Sequence, residues 1–276
     1  MGLIKGLFGR KHTATSAAPA QQATQPRHTG LQIGNIQGIG QRERQEDSFA
    51  ILNAQNPRQQ AQEGLFAIVA DGMGGMADGK GASEYAVSSL CDFFPSLFQQ
   101  PDPPRALGEA VHTVSDQLFR HFGGQSGSTL VAVWLLGDQL RWVSVGDSAL
   151  YLMRSGGLFQ LNREHNYLNE LYLRELAESR IDRRRAEQDE DAHRLTAFLG
   201  INQLSLLDQN FLPLPLQAGD AILLCSDGIS GILTPPELME ALSMEPGEGC
   251  TLLEQMLLEK GIPGQDNYTG IILKYD

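Results

Sequence analysis

The chain has 276 residues, 41% hydrophobic and 20% charged, enough for one large α/β or α+β domain with a sizeable core. A net charge of −12 excludes a general nucleic-acid binder, whose affinity comes from lysine and arginine, and no apolar run approaches the ~20 residues that span a bilayer. Three cysteines, Cys91, Cys225 and Cys250, lack CxxC spacing, which argues against a disulfide framework or thiolate zinc site and points to a reducing, cytoplasmic setting.

Residues 1–11 are short, apolar and basic, suited to a weak contact with an anionic membrane surface or a partner. They are too short for a signal-peptide core, and Gly6 stands where a myristoylation motif needs Ser or Thr. Residues 12–28, rich in Ala, Gln, Thr and Pro, read as a tether, so residues 1–29 are set apart from a globular domain over 30–276. Residues 31–39 and 47–52 are predicted strands, 53–62 a polar loop containing Pro57, and 65–70 a buried strand. Apolar positions recur at helical spacing over 82–98 and 104–122. Three strands follow at 128–136, 139–145 and 149–154, with Gly137-Asp138 turning the first into the second, and a further strand at 158–161.

Residues 162–194 are the most charged stretch and read as a helix with a loop. Strands return at 207–214 and 220–226, helices at 236–243 (capped by Thr234) and 249–260, and a last strand at 269–275. Strands in runs joined by tight turns, with helices in pairs, argue for antiparallel sheets covered by helices.

Four aspartates lie beside glycine or asparagine at the ends of apolar runs: Asp71, Asp147, Asp227 and Asp266. A carboxylate buried where a strand emerges costs several kcal/mol unless it is neutralised. Four of them, with no comparable set of basic neighbours in sequence, point to a shared cation. The glycine-rich stretch after Asp71 is neither a Walker loop, since no Gly-Lys-Ser/Thr follows, nor a dinucleotide fingerprint. Glycine beside a carboxylate instead lets a carbonyl such as that of Gly72 reach a cation. With Glu46 and Asp47 these residues form an all-oxygen set suited to Mg²⁺ or Mn²⁺. Such a set can hold two ions ~3.5–4 Å apart and activate a water between them. Arg42 supplies a planar fork for phosphate oxygens. The assembly suits in-line hydrolysis of a phosphate ester.

Seven segments in order resemble the metal-dependent serine/threonine protein phosphatases of type 2C, in their bacterial form. They are Arg42-x-x-Gln45-Glu46-Asp47-Ser48, Val69-Ala70-Asp71-Gly72-Met73-Gly74-Gly75, Gly79-x-Gly81-Ala82-Ser83, Gly127-Ser128-Thr129-Leu130, Val145-Gly146-Asp147-Ser148, Ser226-Asp227-Gly228 and Asp266-Asn267-x-Thr269. The resemblance implies an α+β fold, a four-layer αββα sandwich of two central antiparallel β-sheets flanked by helices, with a flap over about 163–194. It implies that Asp71 bridges two ions and the Gly72 carbonyl binds one. Asp227 and Asp266 complete the second ion's shell, and Glu46 and Asp47 act at the first. Asp147 is available to a third, weaker ion, and Arg42 holds the substrate phosphate. The implied partners are phosphorylated proteins, among them a Ser/Thr kinase and its targets, dephosphorylated by a monomer.

The pattern departs from the family at three positions. Met73 stands where many eukaryotic members carry histidine, Ala149 where Gly-Asp-Ser-Arg has its arginine, and Gly231 where an acidic residue often follows the metal-binding aspartate. The missing carboxylate at Gly231 predicts a weakened third site. His165 matches a family position before the flap, where a hydrogen-bonding anchor is expected rather than an acid catalyst. A second reading is a catalytically weak sensor or binding protein of the same fold, and a third a small-molecule phosphatase.

Overall fold

The computed structural model describes residues 30–276 apart from 74, 98 and 179–181, so the readings of residues 1–29 lie outside the described residues. The first half runs β1 (Leu31–Gly38), β2 (Ser48–Leu52), α1 (Pro57–Glu63), β3 (Leu65–Ala70), α2 (Gly79–Leu97), α3 (Pro103–Phe122), β4 (Leu130–Leu136) and β5 (Gln139–Val145). It continues with β6 (Ala149–Arg154), β7 (Gly157–Gln160), α4 (Tyr167–Ala177), α5 (Arg183–Glu187), β8 (Asp208–Gln209) and β9 (Leu214–Pro215). The last elements are β10 (Asp220–Cys225), α6 (Asp227–Ser230), α7 (Pro235–Leu242), α8 (Pro246–Lys260) and β11 (Tyr268–Tyr275). No helix among the described residues is long and apolar enough to cross a membrane.

The strands form two antiparallel sheets, one ordered β1-β11-β10-β6-β7 and the other β2-β3-β4-β5-β8, with β9 also pairing β5. Side-chain alternation along each strand separates three apolar layers. In β3, Leu65, Ala67 and Val69 face the other sheet and meet residues such as Leu150, Ile222, Leu224 and Ile271. Phe66, Ile68 and Ala70 face the opposite way, onto α2 and α3, where Phe66 stacks on Phe94 at 4.6 Å and Trp134 meets Phe94 edge-on. Helices α7 and α8 cover the outer face of the other sheet through Leu238, Leu253 and Leu257. The result is the expected four-layer αββα sandwich, whose inner layer is a dry inter-sheet core.

Two expectations are corrected. Residues 57–63 are a helix rather than a loop, because Asn56 accepts a hydrogen bond from the Gln59 amide and Pro57 occupies the first turn, where its missing N–H costs nothing. Residues 207–214 are not one strand. Two-residue segments at each end pair with β5 while Asn210 bonds the Trp142 amide and Leu140 carbonyl between them. Helix α2 also begins three residues earlier than periodicity indicates, at Gly79, and that extra turn reaches the acidic end of the sandwich.

Leu224 is fully buried between the sheets. Leu224→Ala is expected to cost about 3 kcal/mol of stability, the usual range for a core leucine truncated to a cavity. Urea unfolding measures it, and a loss below about 1 kcal/mol would contradict a tightly packed inter-sheet layer.

Candidate metal centre

The backbone brings the sequence-separated acids to one end of the sandwich. Ser48 pairs with Ala70 in the β2–β3 ladder, so Asp47 and Asp71 emerge side by side. In the other sheet Cys225 pairs with Gly270, placing Ser226 and Asp227 beside the start of β11 and the Asp266-Asn267 pair. The Ser226 hydroxyl donates to Asp47 Oδ2 at 2.8 Å and accepts from the Thr269 amide at 3.0 Å, which ties one sheet to the other at the site itself.

Asp71 is held by its backbone. Its amide donates to Thr129 Oγ1 at 3.0 Å, and its carbonyl accepts from the Thr129 amide at 2.8 Å and the Ser128 hydroxyl at 2.9 Å. Thr129 and Ser148 hydroxyls meet at 2.7 Å, linking this strand end to the Asp147 loop. Gly72 bonds the Glu46 carbonyl through its amide, and a Cβ on it would fall 2.2 Å from the Gly79 carbonyl oxygen and 2.7 Å from that of Glu46. Only glycine permits this approach of three backbone segments. Glu46 is half-buried, and its amide donates to Asn267 Oδ1 at 2.7 Å. The Asn267 side-chain amide in turn donates to the carbonyls of Ile39 and Arg44. Arg42 stands at the rim, half-exposed, with Nη2 2.6 Å from Asp266 Oδ2.

The electrostatics follow from crowding. Burial, then repulsion from Asp47, Asp227, Asp147 and Asp266, raises the Asp71 pKa well above the carboxylate range. Burial is also the main cause that pushes Asp47 up to about 6 and Asp147 up to about 7, with Asp227 as a repelling neighbour of both. Asp227 is raised by burial and by Asp266, and Asp71 lies within hydrogen-bonding reach of it. The five aspartates are thus one interacting group.

Two oxygens of that group, Asp47 Oδ1 and Asp227 Oδ1, are buried without any hydrogen-bond partner. Orphaned carboxylate oxygens in an all-oxygen, net-negative cavity fit hard divalent cations, which supply the missing charge and the missing partner together. Among the described residues no three His, Cys, Asp or Glu side chains stand close enough to grip one ion as a finished set.

His165 sits apart from the acids. The Gly146 amide donates to its Nδ1 at 3.1 Å, its own amide donates to the Gly146 carbonyl at 2.8 Å, and its carbonyl accepts from Thr196. Burial lowers its pKa, which favours the neutral ring; Nδ1 holds the Asp147 loop, and the His165 carbonyl ties that loop to Thr196. Ala149 is fully buried opposite Cys225, within the sheet packed under α7 and α8. Gly231 closes α6, its amide bonded to the Asp227 carbonyl.

The sequence reading singled out the acids and Arg42 but gave no role to Asn267, Ser226, Thr129 or Ser148. Their signal lay inside the quoted motifs, as the polar neighbour of each aspartate.

The raised carboxylates set a pH dependence. Without metal, folded Asp47 and Asp147 hold protons that the unfolded chain releases near pH 4. Their contribution to stability is present below that pH and is lost as pH rises through 6 and 7. Thermal melts of EDTA-treated protein are expected to show a lower Tm at neutral pH than near pH 5, with Mn²⁺ raising it most at neutral pH. A metal-free Tm that does not fall across that window would contradict the crowding of these carboxylates.

A model of the protein phosphatase 2C family matches residues 39–252. The serine/threonine phosphatase stp of Listeria monocytogenes is 28% identical over 223 residues, covering 76% of this chain and 84% of that protein. Among solved structures, PppA, a key regulatory component of T6SS in Pseudomonas aeruginosa, superposes with a TM-score of 0.72 at 28% identity, over 89% of this chain and 98% of that one. The catalytic domain of the serine threonine protein phosphatase PstP, in complex with two manganese ions, does so with a TM-score of 0.68 at 28% identity, over 90% and 99%. Since the family match runs from the loop before Asp47 through α7 and into α8, the chain belongs to the protein phosphatase 2C family and is a metal-dependent serine/threonine protein phosphatase.

Proposed function

We propose that residues 30–276 form the catalytic domain and that Asp71, the Gly72 carbonyl, Asp227 and Asp266, with Glu46 and Asp47, hold two divalent ions, Mn²⁺ or Mg²⁺. The observation that carries this assignment is the pair of buried, unpartnered oxygens on Asp47 and Asp227, one from each sheet. Ions bound there lower the pKa of water and neutralise charge on a phosphoryl group, the chemistry a phosphate monoester needs. The manganese-bound structural relative supports two ions.

The chain's own groups then divide the remaining work. Arg42, exposed at the rim, presents its guanidinium to phosphate oxygens, and the Asp266 it touches keeps it at the mouth. Met73 carries no proton to give, and His165 is a buried ring whose Nδ1 accepts from the Gly146 amide and whose pKa burial lowers, which supports an anchoring role over acid catalysis. Two serines at the site are spent on holding it: Ser226 donates to Oδ2 of the proposed ligand Asp47, and Ser128 donates to backbone carbonyls. The natural substrates are phosphoserine and phosphothreonine in proteins phosphorylated by a Ser/Thr kinase, the kinase included, and the enzyme acts on them as a cytoplasmic monomer. Two curated relatives named as serine/threonine phosphatases support that substrate class.

Phosphate release from a phosphothreonine peptide is expected to require Mn²⁺ or Mg²⁺, to stop with EDTA, and to fall at least a hundredfold in Asp71→Asn, on the order of the loss when a central electrostatic group is removed. Metal-independent release, or an active Asp71→Asn, would refute the assignment. Absence of release from folded protein with either ion would favour the sensor reading instead.

Asp147 and Asp227 remain available to a third ion, but Gly231 adds no carboxylate there. Calorimetric titration with Mn²⁺ is expected to resolve two tighter sites and at most one weak one, since ligand charge tunes hard-cation affinity. Three equally tight sites would contradict it.

A further inference from the structure

Asp47 is held from every direction except one. Its amide donates to Gln45 Oε1 at 2.9 Å, and its Oδ2 accepts from Ser226. Its carbonyl accepts from two sides, from Gln37 Nε2 on β1 at 3.3 Å and from Lys80 Nζ on α2 at 3.1 Å. Only Oδ1 lacks a partner. Lys80 also reaches the Ser48 hydroxyl at 3.3 Å and pairs with Glu84 one turn along the helix at 3.4 Å. Its neighbours in the same turn touch the same loop: Gly79 packs on Gly72, and the Ser83 hydroxyl donates to the Glu46 carbonyl. The first turn of α2 therefore grips the backbone of Glu46, Asp47 and Gly72 from the side away from the carboxylates.

Lys80 is the one charged group among the donors to Asp47, and a charge-assisted bond is about twice as strong as a neutral one. It lies at a cleft of about 360 Å³ lined by Gln37, Asp47, Ser48, Phe49 and Glu84 and not by Arg42. Its charge thus bears on the Asp47 peptide through the carbonyl it bonds.

We propose that Lys80 is a positioning residue for the metal centre: by clamping the Asp47 carbonyl and Ser48 hydroxyl from behind, it fixes the direction in which Asp47 Oδ1 points. The proposal rests on the reading of Asp47 as a metal ligand. It predicts that Lys80 sets metal affinity, whereas a merely structural lysine sets only stability.

The test is Mn²⁺ binding by calorimetry to metal-stripped wild type, Lys80→Met and Lys80→Arg, with thermal melts of each without metal. Lys80→Met is expected to weaken the tightest Mn²⁺ site about five- to tenfold, the effect of losing one such bond, and Lys80→Arg to recover most of it. The Mn²⁺ concentration for half-maximal phosphatase activity should rise by a similar factor. Unchanged Mn²⁺ affinity in Lys80→Met, or a lowered metal-free Tm with affinity intact, overturns the proposal. If Lys80→Met does not fold, Lys80→Gln, whose amide is too short to reach the carbonyl, is held to the same two readouts. Wild-type protein that binds no Mn²⁺ would instead refute the metal-centre reading itself.

Discussion

Mutual repulsion among Asp47, Asp71, Asp147, Asp227 and Asp266 is the constraint around which this end of the molecule is built. Burial makes Asp47, Asp71, Asp147 and Asp227 costly, and gathering them raises that cost further. Asp47 and Asp71 leave the sandwich at strand termini whose backbone groups are hydrogen-bonded. The residual deficit is charge, and a divalent ion is the partner that removes it without adding another proton or another side chain.

The groups that hold these acids are mostly neutral. Ser226, Thr129 and Ser148 supply hydroxyls, and Asn267 supplies an amide that gathers residues 39–46. Arginines inside the cavity would pair with the carboxylates permanently and compete with the ion. Arg42 and Lys80 sit at the margins instead, Arg42 at the exposed rim, where it pairs with half-exposed Asp266, and Lys80 against the Asp47 carbonyl. That arrangement keeps the centre acidic towards metal while presenting a basic group to an incoming phosphate.

Packing and chemistry meet in the backbone as well. Gly72, Gly79 and the Glu46 carbonyl approach so closely that any side chain at Gly72 would force them apart. The Phe66, Phe94 and Trp134 cluster beneath anchors α2 on its sheet, so the first turn of that helix arrives at the site as part of a rigid layer. Ala149 shows the converse. It is buried packing under α7 and α8, and the loop before it is joined through His165 to Thr196.

The continuous apolar runs at residues 65–70 and 221–225 and the helical spacing in 104–122 reflect local physics, and they survive in the structure because each strand buries both faces and the helix one. The aspartates at the strand ends were legible for the same reason: a charged residue closing an apolar run is a local anomaly that needs an explanation. The order of seven short motifs was enough to indicate the family and the αββα layers. Sequence alone misjudged residues 57–63, where a proline that breaks a helix interior instead starts a helix behind the Asn56 cap, and residues 207–214, whose middle bonds β5 through a side chain rather than a ladder. Tertiary structure alone decided which atoms were left without partners. Asp47 and Asp227 lie 180 residues apart, in different sheets, and whether their oxygens meet hydroxyls, each other or an ion depends on the register and stacking of strands that no local pattern encodes. The same holds for Lys80, which by its neighbours in sequence is an ordinary surface lysine and becomes a clamp only when the first turn of α2 is laid against the loop before β2.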